Sequence, residues 1–206
     1  MRSLARAAVT AVALMVLSSC TGTKMVQTWR DPKYDGQPVK RVFIVCVGPT
    51  DANRVVLENA IAQALLDRGF LSATATGVFA YEPPDKDKSV AFVRENKVDL
   101  VIVQRLMKET DLAYFAATVD SMPVTPTYGT WYSAYGYGGT AYTPGYMEED
   151  TRVKAETTVF SAHSQPEKLV WSSASTTMNV QDAKSGAKSL AQSLVKSLVE
   201  AGILVK

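Results

Sequence analysis

Two stretches of this chain are apolar without a break, and most of the rest alternate or repeat at helical spacing. Val42 to Val47 reads Val-Phe-Ile-Val-Cys-Val, and Leu100 to Val103 reads Leu-Val-Ile-Val. Unbroken runs rich in β-branched residues predict strands covered on both faces. Between them, Thr50-Asp51 supplies a cap for a helix reaching about Arg68, with Leu57, Ile61, Ala64 and Leu65 on one stripe and Gly69 as the stop. Phe70 to Ala75 alternates as a second strand, and Gly77 to Asp87 is a loop holding Pro83-Pro84. Asp87 or Ser89 caps a short helix through Asn96 with Val90 and Val93 inward. The order is β-α-β-α-β, and two right-handed crossovers give a parallel core with helices over it.

The second half changes pattern. Leu112 to Val119 is expected as a strand. Thr151 to Ser161 places Val153, Ala155, Thr157 and Val159 on one side, and Leu169 to Val180 forms a further strand. Ser164-Gln165-Pro166-Glu167 is turn-like, so the two make an antiparallel hairpin. Asp182 caps a last helix through Ala201, whose stripe is Ala187, Leu190, Ala191, Leu194, Leu198 and Ala201. The expected fold class is α/β, an α+β mixed sheet: β-α-β-α-β, then a hairpin and a C-terminal helix. One domain covers 41–206, with a loop insertion at 122–150.

Ahead of that domain stands a polar lead, 20–40, in which Met25 to Trp29 reads as a short edge strand. Trp29 is expected to pack the lead onto the domain, with a partner-facing role as the alternative. Arg54 and Glu58, four apart, are expected to pair on the outer face of their helix. Lys184, Lys188 and Lys196 are read as a solvated helix face, and Cys46 as a small core hydrophobe.

The first twenty residues follow another logic. Arg2 and Arg6 precede an apolar run from Ala7 to Leu17 broken only by Thr10, and Leu17-Ser18-Ser19-Cys20 follows. This is a secretory signal layout over 1–19. The run is about half the ~20 residues a spanning helix needs. Leu-Ser-Ser-Cys resembles the bacterial lipobox. That resemblance implies cleavage before Cys20, a diacylglycerol on its sulfur and a third acyl chain on the new amino terminus. Two chains suffice for stable anchoring, at roughly 0.8 kcal/mol per buried CH₂. Thr21 and Gly22 follow, with no Asp beside the cysteine. By the family's sorting rule the protein goes to the outer membrane and faces the periplasm.

Cleavage also changes the charge. The full chain carries +2, but residues 1–20 hold two arginines and no acids, so the mature chain is neutral. Neutrality gives no broad attraction for nucleic acid, which is not expected as a partner. With Cys20 lipidated, Cys46 alone remains, and no internal disulfide is available.

Met122 to Asp150 departs furthest from ordinary composition. Tyr128, Tyr132, Tyr135, Tyr137, Tyr142 and Tyr146 are six of the nine tyrosines, set among five glycines and Trp131. A tyrosine offers a flat apolar face and a polar tip, which suits interfaces. Long loops are functional or disordered, so three readings stand: an insertion with no single ligand, a protein-contact surface, or a glycan-stacking site. Glu148-Glu149-Asp150 reads as solvated charge and not as a metal site.

Catalytic patterns are missing. His163 is the only histidine; Ser161 and Ser164 lie near it in sequence, with no Gly-x-Ser-x-Gly elbow and no orienting acid nearby. One histidine and no cysteine cluster exclude the usual zinc patterns. The glycines at 136, 138 and 139 do not sit between a strand and a helix, as a phosphate loop requires. No cofactor, metal or catalytic residue is expected.

A family resemblance joins several short motifs. Thr28-Trp29-Arg30-Asp31-Pro32, Val39 to Val45, Asn53-Arg54 with Leu57-Glu58, Leu66 to Gly69, the Tyr/Gly-rich loop and Lys168-Leu169-Val170-Trp171-Ser172 together resemble a group of bacterial lipoproteins with the domain of unknown function numbered 4136, or a close relative. The group implies an envelope lipoprotein and no particular activity. More distantly, the element order is similar to lipoproteins that activate penicillin-binding proteins, to the curli secretion-channel lipoprotein and to the amino-terminal domain of TolB. Fold analogy of that kind does not assign function. The expectation is a non-enzymatic, membrane-tethered periplasmic lipoprotein with an envelope protein partner. Alternatives are a peptidoglycan- or glycan-binding module using the Tyr-rich loop, a hydrolase using Ser161 or Ser164 with His163, and, ranked low, a subunit of an oligomeric secretion pore.

Overall fold

In a computed structural model, six strands form one mixed sheet with helices on both faces. The structure describes residues 21–48, 50–79, 86–107, 152–164, 166–178, 180 and 182–206. The elements are β1 (Gly22–Arg30), β2 (Arg41–Val47), α1 (Asp51–Leu66), β3 (Leu71–Thr74), α2 (Ala75–Val78), α3 (Lys86–Glu95), β4 (Leu100–Met107), β5 (Val153–Ser161), β6 (Lys168–Met178) and α4 (Ala183–Glu200). The sheet order is β1-β6-β5-β4-β2-β3. The β2–β3 and β2–β4 pairs are parallel, and β4–β5, β5–β6 and β6–β1 are antiparallel. The mixed α/β class expected from the sequence is therefore the one observed. The expected strand over Leu112 to Val119 lies outside the described residues, as do the signal segment and Cys20.

The unbroken runs are buried on both sides for the reason their composition implies. Val42, Ile44, Cys46, Leu100 and Ile102 join one core cluster with α1 and α4, through Leu57, Ile61, Leu65, Leu190, Leu194 and Leu198. Phe43, Val45, Val101 and Val103 join a second cluster on the other face, with Val93 of α3 buried and Val90 and Phe92 packed against it. Phe43 and Phe92 pack with ring centroids 5.0 Å apart and ring planes tilted by 45°. Burying a large apolar side chain contributes about 1.5–3 kcal/mol, so the two layers hold β2 and β4 from both sides.

Capping follows the sequence signals. Thr50 accepts from the Asn53 N–H to start α1, and Asp182 accepts from the Ser185 N–H to start α4. Gly69, at φ +80, ends the turn after α1, where few residues other than glycine are comfortable. One turn was not expected. Thr74 accepts from the Gly77 N–H and caps the short α2 inside what reads as strand end and loop.

The lead becomes the edge of the sheet. β1 pairs with β6 from Gly22↔Met178 to Arg30↔Trp171, a longer strand than Met25 to Trp29 alone suggests. A bulge at Gln27, whose φ is 51, interrupts the ladder between Val26 and Thr28. Kinks of this kind discourage another chain from adding to an edge. Trp29 is half-buried opposite Ser172.

Candidate functional site

The direction of the strands decides which end of the sheet carries chemistry. β2, β4 and β6 run the same way, and β1 and β5 run against them. The C-terminal ends of β2, β4 and β6 therefore share one end of the sheet with the first residues of β1 and β5. The N-termini of α1 and α4 follow directly from β2 and β6, so they stand at that end too. β2 is flanked by β3, reached through α1, and by β4, reached through α3. The strand order reverses at β2, with β3 added on one side and β4 on the other, the kind of switch point where open α/β sheets hold ligands.

The polar groups at this end answer one another. Glu58 of α1 is fully buried. Its Oε1 accepts from the Cys46 N–H at 3.0 Å; its Oε2 accepts from the Thr76 N–H at 2.8 Å and from the Thr76 hydroxyl at 2.6 Å. One carboxylate thus ties α1, the end of β2 and α2 together. Arg54 does not pair with it on an outer face, as the spacing of four suggests. Arg54 is buried and its guanidinium meets Asp51 at 3.1 Å. The physical reason lies in the helix period. Arg54 and Glu58 fall on the same inward stripe as Leu57, Ile61 and Leu65. Burial and the Glu58 charge push the Cys46 thiol well above its ordinary range, so it stays a protonated core group.

Beside this cluster, Gln104 is buried in β4, accepting from the Thr157 hydroxyl at 2.6 Å and donating to the Glu156 carbonyl at 3.1 Å. Arg105 and Glu156, paired across β4 and β5, approach to 3.7 Å on the opposite face. Under α4 the sheet is lined with hydroxyls. Thr23 of β1 meets the Thr177 hydroxyl at 2.8 Å and donates to the Ser189 hydroxyl at 2.9 Å, while Ser193 donates to the Thr23 carbonyl. Periodicity in apolar residues does not show such a seam. The run Ser172-Ser173-Ala174-Ser175-Thr176-Thr177 is its only sequence sign.

The opposite end gathers the resemblance motifs. The Asp31 N–H donates to the Val170 carbonyl at 3.0 Å, and the Asp31 carboxylate pairs with Lys168 and accepts from the Lys33 N–H. Thr28 to Pro32 and Lys168 to Ser172 are thus two sides of one seam. The Lys168 hydrogen bond, followed by that of Lys33, holds the Asp31 carboxyl below its usual range. His163 also finds an acid that sequence proximity does not offer. Asp99 Oδ1 is 3.7 Å from His163 Nε2, and Asp99 Oδ2 accepts from the Lys40 and Arg41 N–H groups. Among the described residues neither Ser161 nor Ser164 hydrogen-bonds His163; Ser164 donates to the Pro166 carbonyl instead. A groove of about 310 Å³ lies between α1 and α4, edged by Asp67, Arg68, Gln192 and Lys196, and is open to solvent.

Tyr128, Trp131, Tyr132, Tyr135, Tyr137, Tyr142 and Tyr146 lie outside the described residues, as does Cys20. Their points of attachment are nevertheless fixed. Met107, the last residue of β4, pairs with Lys154 near the start of β5. The stretch 108–152 therefore leaves and re-enters the sheet at the end where β1 begins. Among the described residues no helix is long and apolar enough to cross a membrane.

No protein-family model matches the chain, and no curated protein matches it. Among solved structures it is similar to a PelC dodecamer from Paraburkholderia phytofirmans at 14% identity and a TM-score of 0.47, covering 89% of this chain and 99% of that one. A methionine variant of the PelC dodecamer from the same organism gives 13% identity and 0.46, over 87% and 100% of the two chains. A PDZ domain protein from Parabacteroides distasonis gives 13% and 0.38, over 94% of this chain and 39% of that one. Likenesses of this degree carry no functional argument.

Proposed function

We propose that this protein is a lipid-tethered lipoprotein of the cell envelope, anchored through Cys20 in the outer membrane and facing the periplasm. In this reading it is a non-enzymatic accessory domain that presents its Tyr-rich segment to a protein partner. The observation that carries the reading is a coincidence of position. β1 starts at Gly22, two residues after Cys20, at the same end of the sheet where 108–152 leaves β4 and returns to β5. Two extended residues reach about 7 Å, so an acylated Cys20 holds that end against the membrane. Both roots of the segment that holds Tyr128 to Tyr146 would then lie near the membrane surface. The lipobox resemblance and the motifs shared with the lipoprotein group of unknown function support the tether. The absence of an enzymatic role is supported by the way polar groups at the switch point are spent on one another, Glu58 on Cys46 and Thr76 above all.

The test is crosslinking in living cells followed by partner identification, for the native chain, Cys20→Ala and a chain lacking 128–146. The native chain is expected in the membrane fraction with a reproducible protein adduct. Cys20→Ala should be soluble, folded and without that adduct; the shortened chain should stay in the membrane and lose it. Unchanged adducts in the shortened chain would sink the loop assignment, and membrane retention of Cys20→Ala would sink the tether.

A further inference from the structure

On the side of the sheet away from α4, the described helices stop short of β1 and most of β6. Trp171 lies in the core cluster with α4, and Thr177 joins the Thr23–Ser189 seam beneath the same helix. Ser172, Ala174 and Thr176 alternate with them and look the other way. With their neighbours across the ladder they make three rows: Trp29–Ser172–Thr158, Val26–Ala174–Glu156 and Lys24–Thr176–Lys154. On this side α2 and α3 supply the second core cluster, which among the described residues takes Leu169 alone from β6 and nothing from β1. Val26, Trp29 and Ala174 belong to neither cluster. An antiparallel face turned to water keeps its polar residues wet. Here Ser172 and Thr158 are only 2% and 4% exposed, and the Ser172 hydroxyl has no hydrogen-bond partner among the described residues.

The segment rooted beside these rows has the charge and the side chains to occupy them. Met107 pairs with Lys154, so 108–151 leaves β4 and returns to β5 next to the Lys24–Thr176–Lys154 row. It carries six acids, Glu109, Asp111, Asp120, Glu148, Glu149 and Asp150, against the single base Lys108. It also holds the apolar run Leu112 to Val119 and the Tyr-rich stretch. The rows answer both properties. Lys24 and Lys154 stand nearest the roots, Glu156 is met by Arg105, and Val26, Ala174 and Trp29 form an apolar strip beyond.

We propose that this face of β1, β6 and β5 is a docking surface for the chain's own 108–151. Acids of the segment meet Lys24 and Lys154, and its aromatic side chains lie over Val26, Ala174 and Trp29. Attachment at both ends holds the segment at an effective concentration on the order of 1 mM beside this face, an advantage that a second copy or a separate protein lacks. Aromatic rings with a polar tip suit a surface that mixes apolar side chains with hydroxyls. The seat goes beyond the tether and the partner reading, and its failure leaves both standing.

The test is carbodiimide crosslinking, which joins a carboxylate to an amine in direct contact, on an equal mixture of light and isotope-heavy full chain purified from cells. Links from Lys24 decide, because Lys154 is close in sequence to Asp150. Amides should join Lys24 to acids of 108–151 within light or within heavy chains. A Lys24 link found mainly between light and heavy chains reports a second copy and overturns the seat, as does the absence of any Lys24 link to the segment. Hydroxyl-radical oxidation of Trp29 gives an independent reading. In Lys24→Glu with Lys154→Glu it should run roughly fivefold faster than in the native chain, the shift that losing two exposed ion pairs supplies. Trp171, fully buried, should stay slow and so reports an intact fold. Unchanged Trp29 oxidation with Trp171 still protected overturns the proposal. If the variant unfolds and exposes Trp171, the native chain in molar salt replaces it: screening to about 3 Å should raise Trp29 oxidation while Trp171 stays protected, and no rise overturns the seat.

Discussion

Glu58 is a carboxylate with no access to water, and it has to be answered by donors. Two backbone N–H groups and one hydroxyl do so. Removing a buried charged acceptor strands its donors at a cost of several kcal/mol. Glu58→Ala should therefore lower unfolding stability by about 3–5 kcal/mol, and Glu58→Gln by about 2–3 kcal/mol, since an amide keeps one acceptor but turns an N–H toward a donor. Urea melts measure both, and a loss under ~1 kcal/mol for Glu58→Ala would refute the role. The position was legible in principle. Spacing put Arg54 and Glu58 on the stripe of Leu57 and Ile61, but the charge type favoured an outer pair, and the partners on β2 and α2 are invisible to helix periodicity. Asp31 gives a pH-dependent counterpart. Its carboxyl is held low by Lys168 and Lys33, so its contribution to stability is present above the unfolded-state value of ~3.9 and is lost as pH falls through the lower folded value. Asp31→Asn should be less stable than the native chain near neutrality, and the gap should close under acid. A gap that stays constant from neutral to strongly acidic pH would contradict the Asp31–Lys168 bond.

β1 shows what an element needs in order to be recognised. Gly-Thr-Lys-Met-Val-Gln-Thr-Trp-Arg has no clean alternation, because one side of the strand meets hydroxyls of β6 and α4 as well as apolar side chains. Its apolar middle, Met25 to Trp29, was readable; its full length was not. β2 and β4, by contrast, announce themselves because both faces are apolar. The short α2 was hidden because its cap, Thr74, also reads as the last residue of a strand. Thr23 is the hub of the hydroxyl seam, so Thr23→Val should cost about 1–3 kcal/mol by leaving Thr177 and Ser189 short of a partner. Hydrogen exchange should speed in β1 ahead of β2 and β4. Uniform change across the sheet would mean that β1 is not held separately by this seam.

At the scale of the whole molecule, the parallel β-α-β-α-β core and the hairpin were legible because each is built from neighbours in sequence. What joins them was not. The lead pairs with a strand some 150 positions later, and Val39 donates to Val205 near the chain's last residue. His163 meets Asp99 by the same route, through pairing of β4 with β5 and not through sequence proximity. No local pattern encodes such pairings; they appear only once the sheet has assembled. The Tyr-rich segment shares this limit, since its residues lie outside the described ones and only its roots are placed.

Under the proposed export, that first strand has a consequence for the order of events. A chain threaded amino end first presents β1 to the far side of the membrane long before β6 and α4 arrive. The strand waits without a partner while the core of β2, β3 and β4 can already close over local contacts. Sheet completion is then the last step, requiring both ends of the chain at once. If the chain is processed at Cys20 as proposed, processing would meet an unpaired, accessible segment for as long as translocation lasts, and the edge would zip shut only when the whole protein had crossed.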